Sequence, residues 1–302
     1  MYLVRVFLAC CILLCIVSCN TDKKTVNDDV LNIRMQRDAP SYNPVLYPNL
    51  LGREVYTYLF LPLADIDEKD LSLIPILIEE IPALETEAEG KYRLSVSIRK
   101  DAVWSDGVPI TANDILFTIK TIKHKLSTAD QYRALLAPLS DVLINPNDVR
   151  KFDEYLLNLK ESILSLEILP KHYIDKEGLS EYVSLQQMAS EGIEKDSNFI
   201  QLGNLLNDPK WNKELYVSSG PYKLSKYEEN IETIIEKVQP YWGEKYPQDM
   251  FRANAASIMF TIIPDEIAAL SELAVGNIDV INGLTSQGYK SFTDTMGKQP
   301  NF

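Results

Sequence analysis

Apolar and polar side chains alternate most clearly at residues 92–99, where Tyr92, Leu94, Val96 and Ile98 interleave with Arg93, Ser95, Ser97 and Arg99. A period of two buries one face of a strand and wets the other, so a half-buried strand is expected here. The period changes after Thr111: Ile115, Ile119, Ile122 and Leu126 fall on one stripe of a helix that should face the core. Thr111 is its expected N-cap, and Asp114 is placed to reach back in a variant of the capping box. Leu31–Met35 and Ser257–Ile263 read as further strands. After the second, Pro264-Asp265 should open a helix with Leu270 and Leu273 on its buried face, closed by Gly276. Ile278–Ile281 should return as a strand. Strands and helices alternate without an internal repeat, which predicts an α/β (mixed α+β) fold.

The segment joining the strand and helix, Trp104 to Asp114, is chiefly architectural. Asp106-Gly107 is a turn pair, because glycine accepts positive φ and aspartate bonds the backbone two residues on, and Pro109 stiffens the approach to the Thr111 cap.

The N-terminus carries a different pattern. Arg5 is followed by an unbroken apolar or cysteine run from Val6 to Val17, ended by Ser18, Asn20 and Asp22. A spanning helix needs roughly 20 apolar residues, so this shorter run reads as a secretory signal. Ile16-Val17-Ser18-Cys19 resembles the lipobox of bacterial lipoproteins, which implies cleavage after Ser18 and a lipid on Cys19. All four cysteines, Cys10, Cys11, Cys15 and Cys19, lie in this leader, so the mature body is expected to hold no disulfide. Residues 1–18 are thus the expected signal peptide and residues 19–29 a flexible tether. The expected location is the cell envelope, lipid-anchored on the periplasmic side of a bacterial membrane.

Composition narrows the function. The chain has 302 residues, 46% hydrophobic and 24% charged, with net charge −13, an ordinary globular composition with an acidic balance. A net negative surface repels phosphate backbones, and no Lys/Arg stripe with interleaved aromatics offsets it, so no nucleic-acid partner is expected. Enzyme chemistry lacks its usual parts. There are two histidines, His124 and His172, and no Gly-x-Ser-x-Gly, His-Glu-x-x-His or glycine-rich phosphate loop. His124, between Lys123 and Lys125, is expected on the solvated surface, and His172 in a turn. Glu79-Glu80 and Glu228-Glu229 read as charged surface. No catalytic residue, cofactor or metal is expected.

The stretch from Ile98 to Phe117, IRKDAVWSDGVPITANDILF, resembles the signature of the family 5 extracytoplasmic solute-binding proteins, which serve peptide, dipeptide and nickel ABC importers. Other segments follow the family in order: Ile168-Leu169-Pro170-Lys171-His172, Ser219-Gly220-Pro221-Tyr222-Lys223-Leu224, Pro240-Tyr241-Trp242-Gly243, and Gly276-Asn277-Ile278-Asp279-Val280.

The resemblance implies a periplasmic binding protein-like class II fold. Residues 30–302 would form the solute-binding domain, with 30–45 and about 165–280 as lobe I and about 46–164 as an inserted subdomain. Residues 281–302 would begin a truncated lobe II. It implies a monomer that captures a peptide or similar small solute between two lobes and delivers it to a permease and ATPase. The alternative is a lipid-anchored sensor, scaffold or decayed fragment without transport activity. Ser41, Tyr42 and Asn43, in the loop after the first strand, and Tyr132, just after the capped helix, are the expected ligand contacts. Tyr56, Tyr58 and Phe60 are expected in the core, and Trp104 and Trp242 as structural.

Overall fold

The computed structural model describes residues 29–46, 49–87, 92–156 and 164–296. The leader, Cys19 and most of the expected tether lie outside the described residues. No helix among the described residues is long and apolar enough to cross a membrane.

The strands are β1 (Val30–Met35), β2 (Ala64–Ile66), β3 (Leu73–Pro75), β4 (Leu84–Thr86), β5 (Tyr92–Ser97), β6 (Leu139–Ile144), β7 (Lys151–Leu156), β8 (Tyr222–Glu228), β9 (Glu232–Lys237), β10 (Ser257–Ile262) and β11 (Val280–Ile281). The helices are α1 (Leu50–Leu59), α2 (Ala112–Lys123), α3 (Asp130–Leu135), α4 (Lys171–Ile174), α5 (Leu185–Met188), α6 (Ser197–Leu206), α7 (Glu266–Ala274) and α8 (Ser286–Met296). The larger sheet has the order β11-β1-β10-β9-β8, with β1 parallel to both β10 and β11 and the rest antiparallel. A second sheet, β4-β5-β7-β6, is antiparallel throughout, and β2 and β3 form a separate pair.

In β1 the burial deepens toward its carboxyl end, because Ile33 and Met35 join the core while Arg34 is also only 1% exposed. A guanidinium taken from water needs hydrogen-bond acceptors to replace it. Three backbone carbonyls supply it: Nε donates to Ile263 O at 2.8 Å, Nη2 to Pro264 O at 3.1 Å and Nη1 to Asn282 O at 3.2 Å. One side chain therefore ties together the chain just past β10 and just past β11. Asp265 caps α7 by accepting from Ala268 N, and Gly276, at φ +75°, ends the turn after it as expected. On α7, however, Ala269 is the fully buried residue, and Leu270 and Leu273 are only half-buried.

The expected capped helix is α2. Asp114 accepts from the Thr111 backbone N–H at 2.9 Å, and its other oxygen accepts from Lys171 N at 3.0 Å. Burial pushes the Asp114 carboxyl up, and these bonds oppose it. Ile115, Ile119 and Ile122 are buried, but Leu126 is 42% exposed, because the helix stops at Lys123 before its stripe reaches that residue.

His124 corrects the expectation of a solvated histidine. It is fully buried, stacked on Phe199 at 3.8 Å between ring centroids. Its Nδ1 accepts from Leu126 N, which leaves Nε2–H to donate to Phe199 O at 2.9 Å. Burial lowers its pKa, so the ring is held neutral. The flanking lysines misled because the chain turns His124 inward at the helix end while Lys125 stays exposed and Lys123 is half-buried.

In the second sheet β7 alternates Phe152 and Glu154 inward, and Glu154 is fully buried where an apolar residue would fit the period. Neither carboxyl oxygen has a hydrogen-bond partner among the described residues, and burial pushes its pKa up to about 8. It lies in register with Leu94 on β5 and Val142 on β6.

Two stability measurements follow from these buried groups. A folded-state pKa raised above 4.5 means that the native state holds its proton while the unfolded chain releases it. The associated stability is intact below pH 4.5 and is lost as pH rises toward and through about 8. Glu154→Leu should therefore raise the unfolding free energy at pH 8 by about 1–4 kcal/mol, and by less at pH 5, in urea denaturation at the two pH values. Arg34→Met leaves three carbonyls without their donor and should lower it by about 3 kcal/mol, with little change between those pH values.

Candidate functional site

Helix α1 starts where Asn49 accepts from Gly52 N, and it places Arg53, Tyr56 and Thr57 along one face. Its carboxyl end is fixed by the Ser219-Gly220-Pro221 segment. Ser219 N and Gly220 N both donate to Leu59 O, and the Ser219 hydroxyl accepts from Leu61 N. A Cβ on Gly220 would stand 2.6 Å from Tyr58 O, so only glycine permits this approach. Tyr58 packs edge-on against Tyr222 and tilted against Phe260, which seats α1 on the larger sheet.

The exposed face of α1 looks onto a concavity of about 580 Å³. Arg53, Tyr56 and Tyr58 come from α1, Tyr132 from α3, Glu167 from the strand-like segment before α4, and Met250 from the far rim. Glu167 is held by a backbone bridge to Pro62, and two residues on Leu169 N donates to the Thr118 hydroxyl of α2. Its position thus derives from two separate elements.

Burial pushes the Glu167 carboxyl up to about 7; a bond from its own backbone N–H and the positive charge of Arg53 oppose the shift, and Asp65 adds to it. Burial likewise raises Tyr56 and Tyr132, whose hydroxyls are hydrogen-bonded to each other. Both stay protonated at neutral pH. The concavity thus offers neutral hydroxyls, the half-buried Glu167 carboxyl with Asp65 and Asp249, and the guanidinium groups of Arg53 and Arg252, set among Phe60, Pro62 and Ile66. Such a lining can offer hydrogen bonds and charge to amides and charged ends. Among the described residues no group of three or more His, Cys, Asp or Glu is placed to hold a metal.

Of the residues singled out from sequence, Tyr132 lines this concavity and the other three do not. Ser41, Tyr42 and Asn43 are buried, and their polar atoms are engaged internally. Ser41 donates toward Leu46 O and Asn212 O, and Asn43 Oδ1 accepts from Val45 N and Leu46 N. The Tyr42 hydroxyl meets Thr233 Oγ1 at 2.6 Å and donates weakly to Asp38. Buried and bonded in this way, these side chains shape the loop from within.

The same loop borders a second concavity of about 740 Å³ through half-buried Asp38, buried Ala39 and exposed Pro40. Asp38 accepts from Lys213 Nζ at 2.7 Å, the Tyr227 hydroxyl at 2.7 Å and Asn230 N at 3.2 Å. Burial would raise its carboxyl, but these donors hold it below the usual carboxylate value. Lys213, its pKa lowered by burial against the pull of Asp38, also lies over the rings of Tyr42 and Tyr227. This network is internally satisfied. His172 sits at the start of α4 with its Nε2 2.8 Å from Asp106 Oδ2, joining the Asp106-Gly107 turn to the Leu169-Pro170-Lys171 segment.

Sequence reading missed Arg53 and Glu167. The only available signal for Arg53 was its spacing from Tyr56 on a helix face. Glu167 had none, because its site exists only when residues 62 and 167 pair.

Comparison with known proteins gives the wider setting. The "Probable peptide-binding protein YejA" of Agrobacterium fabrum is 24% identical over 183 residues, covering 60% of this chain and 26% of that protein. Among solved structures, the periplasmic EDTA-binding protein EppA aligns with a TM-score of 0.66 at 20% identity, covering 87% of this chain and 45% of that one. The oligopeptide-binding protein AppA of Bacillus subtilis, in complex with a nonapeptide, aligns with a TM-score of 0.64 at 19% identity, again covering 87% and 45%. The chain thus spans under half the length of these proteins, and the structural likeness at this identity establishes the fold. The family model for bacterial extracellular solute-binding proteins, family 5 Middle, matches residues 73–301, and the chain belongs to that family.

Proposed function

We propose that this chain forms one wall of the binding cleft of an extracytoplasmic receptor that captures peptides or a similar small solute for an ABC permease and its ATPase. The observation that carries the reading is the concavity of α1, α3 and Glu167, which presents hydroxyl, carboxyl and guanidinium groups on a family 5 framework. An extended peptide exposes amide donors and acceptors in regular succession, and such a lining can satisfy them without demanding one side-chain sequence. The names of the relatives support a peptide: YejA is described as peptide-binding, and AppA was solved with a nonapeptide.

In this reading residues 30–45 and about 165–280 act as the first lobe, residues about 46–164 as the inserted subdomain, and residues 281–302 as the start of the second lobe. A lipid on Cys19 would keep the receptor beside its permease, on the periplasmic side of the membrane, as a monomer. Closure of two walls would exclude water from the solute, and no chemical step is needed.

Isothermal titration of the chain with tri- to pentapeptides tests the proposal. Saturable binding is expected, and Tyr132→Ala should weaken it about tenfold, or about 1.4 kcal/mol. No heat of binding for any peptide up to millimolar concentration would overturn it.

A further inference from the structure

The position of Glu167 deepens the reading above, on which it rests. It combines three conditions that seldom coincide: a carboxyl that lines an open concavity, substantial burial, and the lack of a direct cationic partner. Arg53 acts on it through space, by its charge, and no ion pair within 4.0 Å joins the two among the described residues. Its own backbone N–H donates to the carboxyl.

Buried carboxyls elsewhere in this molecule are treated differently. Asp38 is met by an ammonium, a phenol and a backbone N–H. Asp114 is met by two backbone N–H groups. Glu154 is sealed in the smaller sheet with no route to a solute. Asp38 also borders a concavity, but its donors already satisfy it; among these four, Glu167 combines a place on an open concavity with the lack of a direct cationic partner.

The groups around it set the sign of what can enter. Arg53 and Tyr56 approach from α1, Tyr132 from α3 and Asp65 from β2, with Asp249 and Arg252 on the rim. Both tyrosines are neutral, held protonated by burial. Three acids thus stand against two arginines, so the concavity is net negative once Glu167 ionises. An incoming ammonium or guanidinium would supply the direct partner that Arg53 does not, in a setting where water no longer screens the pair fully.

We propose that Glu167 is a specificity-determining residue that selects solutes carrying a cationic side chain, a basic peptide being the solute class that fits, and that it gives up a proton when such a solute binds. The free site binds the cation only in its ionised form. With the free carboxyl titrating near 7, cation affinity rises with pH and levels off above that value. Neutral solutes gain nothing from the ionised form.

The test is isothermal titration of the full chain with Ala-Lys-Ala and Ala-Gln-Ala at pH 5.5 and 8.5, read as the ratio of their affinities. That ratio cancels the titration of the peptide termini, which both probes share. The ratio should favour lysine at pH 8.5 and fall at pH 5.5, by up to about 30-fold, the change in the ionised fraction of a group titrating near 7. Glu167→Gln should bring the ratio close to the same value at both pH values. Glu167→Asp should retain the pH dependence, and its unfolding curve checks that the fold tolerates change at this position. Repeating the lysine titration in buffers of different ionisation enthalpy at pH 6.5 should reveal proton release. Peptides bound with a ratio that ignores both pH and Glu167 would overturn this inference and leave the solute-binding reading standing. Absence of binding by either tripeptide at both pH values, together with silence toward longer peptides, would overturn both.

Discussion

The buried guanidinium of Arg34 is the interaction on which the rest of the arrangement depends. A parallel pair of strands leaves its carboxyl ends side by side, with unpaired carbonyls where the chain departs. In this protein those carbonyls, from Ile263, Pro264 and Asn282, converge on one side chain of β1, the strand between β10 and β11. The charge is stabilised by dipoles rather than by an opposing carboxylate. Loss of any one strand end would leave the guanidinium in a low-dielectric setting with fewer acceptors, so the three segments are coupled. The larger sheet is thereby closed as a unit, and α1 has a fixed surface on which to lie.

A second knot fixes the segment that carries Glu167. Asp114 binds the start of α2 and the Lys171 backbone together, Thr118 holds Leu169, and His172 meets Asp106 across the turn. Two motifs far apart in sequence, the Asp106-Gly107 turn and the Leu169-Pro170-Lys171-His172 run, are thus parts of one structural joint. Rigid support of this kind lets a loop residue keep a half-buried carboxyl pointed at open space instead of collapsing onto the core. The same joint explains why Asp114, read as a cap, carries more than a cap's share of bonds.

Buried acids divide into those the fold satisfies and those it leaves waiting. Asp38 and Asp114 are surrounded by donors. Glu154 is surrounded by apolar strands, where its cost is borne by the stability of the smaller sheet. Glu167 is intermediate, desolvated by its neighbours but open on one side. The difference is one of direction. A carboxyl facing a packed layer can only lose its charge, whereas one facing a concavity can recover its charge from a partner.

Local periodicity and turn chemistry were enough to give β1, β5, β10, the α2 start with its Thr111-Asp114 pair, and the Asp265 and Gly276 boundaries of α7, because each depends on neighbours within a few residues. Order of motifs was enough to give the family. Burial of the 41–43 loop was not legible, since the groups that enclose it, Asn212, Trp211 and Thr233, lie about 170–190 residues away in sequence. The inward turn of His124 depends on Phe199, and its lysine neighbours pointed the other way. Tyr132 could be named as an aromatic placed after a helix, but its partner Tyr56 and the carboxyl of Glu167 reach it only through long-range packing. Sequence alone determined the strands, caps and turns named above and the lineage they follow, because those depend on short-range sterics and motif order. Only the tertiary structure decided which polar groups are spent inside and which face open space, because burial is a property of residues brought together from the whole chain.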